Sequence, residues 1–194
     1  EDLVISTARY HCDFIDDPLL KQRVTSLIGQ EAIHSRMHEE LNEAYKLQGL
    51  PVSIFRKLEH YVFEYGFERL PQPMKLSLMA AIEHFTAVLA EYMMNHEEVF
   101  FSSQDEKQRA IWMWHMLEES EHKDIAYDVF QKLSNNYALR VAGFFPALIT
   151  ILLLISFASF FAPFYRKPSN LISLDYWKDL PRSVGLIFGL KDGV

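Results

Sequence analysis

The chain has 194 residues, 49% of them hydrophobic, and a formal net charge of −7. This length is enough to bury one sizeable core, and the negative charge excludes the basic surface that nucleic-acid binding requires. The single cysteine, Cys12, excludes an internal disulfide and suits a reducing compartment. The chain opens at Glu1 inside a helical pattern, which we read as part of a longer or processed protein. No signal peptide is visible, so we expect a location in the cytoplasm or on the cytoplasmic face of a membrane.

Scarce glycine and the lack of an alternating strand pattern predict an all-α fold. The spacing of apolar residues predicts four main helices, at residues 1–15, 18–48, 74–101 and 103–133. Asp16-Asp17-Pro18 is typical of a turn that starts a helix, and Gly49 is typical of a helix end. Ser103-Gln104-Asp105-Glu106 has the pattern of a capping box. These signals set the boundaries of the predicted helices.

The connection between the second and third helices covers residues 50–73 and contains a short helical piece. It is too long for a tight turn and long enough to cross the length of a bundle. A hairpin, a long crossover and a second hairpin form the connectivity of ferritin-like bundles. We therefore predict a ferritin-like four-helix bundle with one long crossover over residues 1–135.

Residues 136–194 are predicted to form a hydrophobic helical extension. Residues 141–165 carry no charge, and as one helix they would span about 38 Å, enough for a bilayer. Pro146 and Pro163 shorten the unbroken part to residues 147–162, which also suits an interfacial helix, a re-entrant hairpin or a helix covering the bundle. We expect membrane association, although an apolar tail can equally mediate a homodimer.

Two Glu-x-x-His units carry the chemistry. Glu31 and His34 lie in the second predicted helix, and Glu119 and His122 lie in the fourth. Residues three apart share a helix face, so each pair can reach one metal ion. Both pairs continue the apolar stripe of their helix. Because buried carboxylates are costly unless paired, protonated or bound to metal, two inward pairs predict a metal site.

A di-metal site also needs one inward Glu from each of the other two helices. In an antiparallel hairpin, residues equidistant from the turn lie at the same height. Glu1 and Glu31 are each 15 residues from the first turn, and Glu83 and Glu119 are each 18 residues from the turn near residue 101. The predicted ligands are therefore Glu1, Glu31, His34, Glu83, Glu119 and His122.

Four residues near the predicted ligands are interpreted as partners of the ligands, as alternative ligands or as structural residues. His38 and His115 extend the two inward faces by one turn, as partners of the ligands or as ligands of a further site. Glu118 can substitute for Glu119, although its helix face favours Glu119. For His84 we favour a core or surface role over a ligand role.

Four segments of the chain match motifs of one family: Ile15–Pro18, Ile28–Ser35, Glu83–Ala87 and His115–Lys123. Through them the chain resembles a bacterial family of predicted metal-dependent hydrolases within the ferritin-like superfamily. The resemblance extends over most of residues 1–135. It implies a metal site at the matching Glu and His residues and leaves the reaction open.

Carboxylate and imidazole donors without a Cys thiolate suit iron or manganese. We expect two metal ions, iron by preference and manganese as the alternative, because four Glu side chains balance two divalent charges. The leading hypothesis is an O₂-activating oxidase or oxygenase that acts on a small apolar or lipid-like substrate. The alternatives are hydrolysis by a hydroxide generated at the metals, or iron binding without catalysis. The choice rests on superfamily analogy. No further catalytic residue is assigned.

Overall fold

The computed structural model describes residues 1–47, 49–102, 105–166, 173–174 and 177–178. Within these residues every regular element is helical, which confirms the predicted all-α class for the described part of the chain. The α-helices are α1 (Asp2–Cys12), α2 (Pro18–Leu47), α3 (Val52–Tyr61), α4 (Gln72–Met94), α5 (Glu97–Phe100), α6 (Glu106–Leu133) and α7 (Tyr137–Arg166). A π-helical segment, Val62–Phe67, continues α3.

The local signals that begin and end helices act as predicted at three places. The Asp17 side chain accepts hydrogen bonds from the first backbone N–H groups of α2, which begins at Pro18. Gly49 follows α2 with a φ of 83°, a left-handed conformation that glycine adopts without strain. Asp105 caps α6 by accepting a hydrogen bond from the Gln108 N–H at 2.9 Å.

Helix α4 ends earlier than predicted, at Met94 instead of Phe101. At the end of the helix the His96 ring donates a hydrogen bond to the Tyr92 carbonyl oxygen, 2.8 Å away. The short helix α5 then follows. The sequence pattern of residues 74–101 predicted one helix because its apolar spacing continues across this interruption.

One other helix boundary differs from the prediction, and one lies partly outside the described residues. Helix α1 ends at Cys12, three residues before the predicted end, although Ile15 remains buried in the core. Ser103 and Gln104, the first two residues of the expected capping box, lie outside the described residues. The cap of α6 that the structure does describe is Asp105.

The main core lies between α1, α2, α4 and α6, and all four helices contribute apolar side chains to it. Its buried members are Val4, Ala8, Ile15, Leu20, Val24, Leu27, Leu76, Met79, Ala80, Ile125, Ala126, Val129 and Phe130. These residues recur at helical spacing, so each helix turns one stripe toward the others. The same stripes carry the Glu-x-x-His units.

Helix α7 runs unbroken through Pro146 and Pro163, so the expectation that the prolines limit it to residues 147–162 is wrong. A proline inside a helix removes one backbone hydrogen bond, and the remaining bonds and the packing of α7 on α4 hold the helix together. Residues Tyr137–Leu154 have a mean hydropathy of 1.9. By length and composition this segment is able to cross a membrane.

Helix α7 approaches α4 closely at one point. Ser77 Oγ donates to the Leu139 carbonyl oxygen at 2.7 Å, and a Cβ added at Gly143 would lie 2.9 Å from the Ser77 backbone carbonyl carbon. Ala147 is buried one turn later against the side of α4. Small residues therefore lie where α7 approaches α4 most closely.

Candidate metal centre

Two pairs of carboxylate and imidazole side chains meet inside the core. Glu31 and His34 lie one turn apart on α2, and Glu119 and His122 repeat the spacing on α6. Because residues three apart share a helix face, the apolar stripes that pack α2 against α6 carry both pairs inward. All four side chains are buried, and one donor atom from each lies within 4.8 Å of the others.

The shortest contact in this group of four joins His122 Nδ1 to Glu31 Oε1 at 2.8 Å. His34 Nδ1 lies 3.6 Å from Glu119 Oε1 and 3.8 Å from Glu31 Oε1. Glu83, on α4, stands beside the group with its Oε2 atom 3.5 Å from His122 Nδ1. Three helices therefore deliver carboxylates to the same buried place.

Several of these atoms have no hydrogen-bond partner among the described residues. They are Glu31 Oε1, His34 Nδ1, Glu83 Oε2 and both ring nitrogens of His122. The 2.8 Å contact between His122 Nδ1 and Glu31 Oε1 is an electrostatic contact that lacks the alignment of a hydrogen bond. A buried polar atom left unpaired costs about 1–3 kcal/mol, and native proteins leave few of them. Imidazole nitrogens and carboxylate oxygens are the protein ligands of iron, manganese and zinc. The residues present fit a bound divalent cation, which would satisfy these atoms together.

His34 is held on its outer side by a second carboxylate. Its Nε2 atom lies 2.8 Å from Glu118 Oε2, and Gln30 Nε2 donates to Glu118 Oε1 at 2.9 Å. With its proton on Nε2, a neutral His34 leaves Nδ1 free to bind metal on the side of Glu31. Metal-binding histidines characteristically donate their other N–H to a carboxylate in this way. Glu118 thus lies behind His34 and not within the group of four.

In the absence of metal, burial and neighbouring charges shift the pKa values of the group in different directions. Burial alone would raise the pKa of Glu31, but the His122 and His34 rings outweigh it and bring that pKa down to about 2. For His122, burial is outweighed by Glu31 and Glu83, which raise its pKa to about 10. Burial raises the pKa of Glu83 to about 7, against the opposing effect of His122. The metal-free protein therefore holds a Glu31–His122 ion pair beside a carboxyl group that titrates near neutrality.

The remaining predicted residues fall into two sets. Glu1, at the N-cap of α1, lies with His38 and His115, and one donor atom from each of the three is within 4.8 Å of the others. His84 is exposed on α4, and its ring packs edge-on against the Phe85 ring. Burial, reinforced by the neighbouring His115 and His34, lowers the pKa of His38 to about 4. His38 is therefore a neutral imidazole at pH 7, the form that binds metal.

The whole chain matches one known family. The family model described as predicted metal-dependent hydrolase covers residues 1–194. The chain belongs to this family. Neither the curated proteins nor the solved structures compared with the chain give a match. The resemblance noted in the sequence is confirmed at the level of the predicted metal-dependent hydrolases, and the wider ferritin-like placement stays a prediction.

Membership in the family changes the balance between the expected reactions. A metal-dependent hydrolase was the alternative interpretation of the sequence, and the family description favours it over the oxidase or oxygenase that we put first. The buried Glu and His group agrees with a metal-dependent protein. The identity and the number of the ions remain predictions.

Sequence reasoning missed one residue of the site, Gln30. It lies four residues before His34 on α2, so both side chains project from the same helix face toward α6. Spacing alone could have proposed it as a neighbour of the site. Its role depends on Glu118, across the interface between the helices, and that contact is visible only in the fold.

Proposed function

We propose that the protein is a metal-dependent hydrolase whose divalent cation is bound by Glu31, His34, Glu119 and His122. The observation that carries the proposal is the meeting of these four buried side chains, with donor atoms that lack hydrogen-bond partners among the described residues. It stands in a chain that belongs to the predicted metal-dependent hydrolases. Glu83 is proposed as an additional ligand, because it reaches the same His122 ring from α4.

The ligand types indicate which metal is bound, and the arrangement of the helices indicates the superfamily. Carboxylates and imidazoles without thiolate suit iron or manganese, and we propose iron first. The core formed by α1, α2, α4 and α6 supports a ferritin-like four-helix bundle over residues 1–135, with residues 136–194 as an extension. In such bundles each helix contributes a carboxylate to the metal site.

The protein residues around the cation would have defined tasks in hydrolysis. A bound divalent cation supplies Lewis acidity and lowers the pKa of water, which gives a nucleophile at neutral pH. Glu31 and Glu119 balance its charge inside the core. Glu118 fixes the orientation of the His34 ring and is itself held by Gln30. The apolar side chains of α2 and α6 exclude bulk water and strengthen these electrostatic contacts.

Metal content and hydrolysis should be measured together on the full-length chain. Protein loaded anaerobically with Fe(II) or Mn(II) is assayed with p-nitrophenyl esters of increasing acyl length and with p-nitrophenyl phosphates. We expect hydrolysis that requires metal and is lost in Glu31→Gln and Glu119→Gln. His84→Gln is the matched control, because His84 is exposed on α4 and outside the group of four. Protein that binds no metal while folded would refute the proposal.

The same preparation separates the two reaction classes. Fe(II)-loaded protein is mixed with O₂, and oxygen consumption is followed beside ester hydrolysis. Metal-dependent consumption of O₂ without any hydrolysis would replace the hydrolase by the oxidase or oxygenase. Bound iron with neither activity would favour iron binding without catalysis.

A small apolar or lipid-like substrate is proposed from the outer face of α7. Helix α7 presents large apolar side chains away from the bundle: Phe145, Ile149, Leu152, Leu153 and Leu154. Only 11% of the segment Tyr137–Leu154 is buried, so this helix is not a core helix of the bundle. Arg140 and Arg166 flank the uncharged stretch and suit anionic lipid headgroups. We propose that this face lies on the cytoplasmic side of a membrane.

Co-sedimentation with anionic phosphatidylglycerol vesicles tests the membrane proposal. Ile149→Glu and Leu153→Glu should reduce vesicle binding, whereas Leu47→Glu, at a still more exposed position on α2, should leave it unchanged. If the wild-type protein does not bind vesicles and elutes as a dimer in gel filtration, the same face joins two copies of the chain instead.

A further inference from the structure

A second set of donors lies next to the group of four. It consists of one carboxylate and two imidazoles, from Glu1 at the N-cap of α1, His38 on α2 and His115 on α6. His38 Nε2 lies 3.2 Å from Glu1 Oε1, and the rings of His38 and His115 are 4.9 Å apart between centroids. Three separate helices therefore bring nitrogen and oxygen donors to one place.

Glu119 lies between the two sets. Its Oε1 atom is 3.2 Å from His115 Nε2 and 3.6 Å from His34 Nδ1. The His34 and His115 rings are 4.0 Å apart between centroids, so the two sets are in direct contact. A carboxylate has two oxygens and can bind one ion with each of them.

We propose that Glu1, His38 and His115 bind a second divalent cation and that Glu119 is shared between the two ions. The inference deepens the proposed hydrolase and rests on it. It places the second of the two ions expected from the sequence outside the group of four, at a position where His38 and His115 supply the imidazoles. Paired ions can stabilise both the attacking and the leaving oxygen of a displacement. The donor atoms lie within 4.8 Å of one another, and atoms bound to one ion at about 2.1 Å lie about 3–4 Å apart. The side chains need to close by about one ångström.

The second position is nearer to solvent than the first. The side chains of His38 and Glu1 are 34% and 22% exposed, whereas those of Glu31 and His34 are 2% and 0% exposed. An ion at this position therefore exchanges with solution more readily. We expect the second ion to be bound more weakly than the first.

A purely structural role makes a different prediction. His38 paired with Glu1, and His115 paired with Glu119, would be ordinary ion pairs that support the first ion. In that case substitution of His38 changes the affinity of one ion and never the number of ions. Stoichiometry therefore separates the two roles, whereas loss of activity would not.

The experiment is a Co(II) titration of the full-length protein, followed by its visible absorption and by metal analysis after gel filtration. Wild-type protein should bind two equivalents. His38→Gln and Glu1→Gln should each bind one, with the second equivalent weakened at least 100-fold, and their far-UV circular dichroism should be that of the wild type. His60→Gln is the control, because His60 is an exposed histidine that belongs to neither set.

The outcomes distinguish this inference from the proposed function. One equivalent in the wild type, unchanged in His38→Gln, overturns the second position and leaves the hydrolase proposal intact. Two equivalents that persist in both His38→Gln and Glu1→Gln also overturn it. No bound Co(II) in folded wild-type protein overturns the proposed function itself. If His38→Gln does not fold, Glu1→Gln decides, since Glu1 lies outside the helical core.

Discussion

Substitution of Gly143 by alanine tests how closely α7 packs on α4. The added Cβ would lie 2.1 Å from Ser77 Oγ, 2.8 Å from Ser77 Cβ and 2.9 Å from the Ser77 carbonyl carbon. The hydroxyl can rotate away, but the carbonyl carbon belongs to the backbone of α4. The two helices must therefore move apart, and the hydrogen bond from Ser77 to Leu139 is strained or lost.

The size of the effect follows from three contributions. Overpacking costs about 1–3 kcal/mol, and the hydrogen bond adds about 1 kcal/mol. The better helix propensity of alanine returns about 1 kcal/mol. We expect a net loss of about 1–3 kcal/mol in the free energy of unfolding. At this chain length the loss should lower Tm by about 2–4 °C per kcal/mol.

Urea unfolding and thermal melts of the full-length protein, followed by circular dichroism, measure this change. Gly29→Ala is the matched control, because no atom lies within 4 Å of its added Cβ on α2. It should stabilise the protein by about 0.5–1 kcal/mol. In a Ser77→Ala background Gly143→Ala should cost less, because the nearest atom is gone. A Gly143→Ala protein as stable as the wild type would refute the close contact between α7 and α4.

Three further predictions concern the metal centre. Glu118→Ala should weaken metal binding about 10–100-fold, because His34 loses the carboxylate that orients its ring. Glu121→Ala, at an exposed position on the same helix, should leave metal binding unchanged, and a metal titration of both variants measures the difference. In metal-free protein His122 and Glu83 have pKa values raised from 6.5 to about 10 and from 4.5 to about 7, so the folded state holds their protons more tightly. Below about pH 6.5 the lowered pKa of His38 acts in the opposite direction and offsets the contribution of Glu83. The free energy of unfolding should therefore fall as pH rises from about 6.5 to 10, and a flat profile over this range in urea titrations would contradict the expectation. Removal of metal by a chelator should lower Tm by about 5–10 °C, since ligand at 100 times its Kd contributes about 2.7 kcal/mol, and added metal should restore it.

The apolar spacing of the sequence was enough to find the helices and the inward pairs. Glu31 with His34, and Glu119 with His122, meet in the core because a three-residue spacing within an apolar stripe fixes the direction of both side chains. Such a pattern depends on local geometry alone. The interruption after Met94, where the His96 ring bonds to the Tyr92 carbonyl oxygen, has no such pattern, because the apolar spacing continues across it.

Distances to the turn predict that Glu1 and Glu83 lie near the two inward pairs, but they do not give the contacts that these side chains make. Side chains on a helix lean toward its N-terminal end. In an antiparallel pair of helices the side chains of the two helices therefore lean in opposite directions. Glu1 therefore reaches past the level of Glu31 to His38, and Glu83 reaches His122. Both contacts are displaced in the same sense, away from the turn. Counting residues gives the height of the Cα atoms and omits this lean.

The spacing of donors along α2 and α6 limits how the chain can vary. His34 and His38 are one turn apart on α2, as are His115 and Glu119 on α6, so stiff helices with a pitch of about 5.4 Å set the separation of the two positions. One residue inserted between His34 and His38 would rotate everything after it by about 100° and turn His38 out of the centre. Related chains should accept many point substitutions in these helices but no insertions or deletions between the donors.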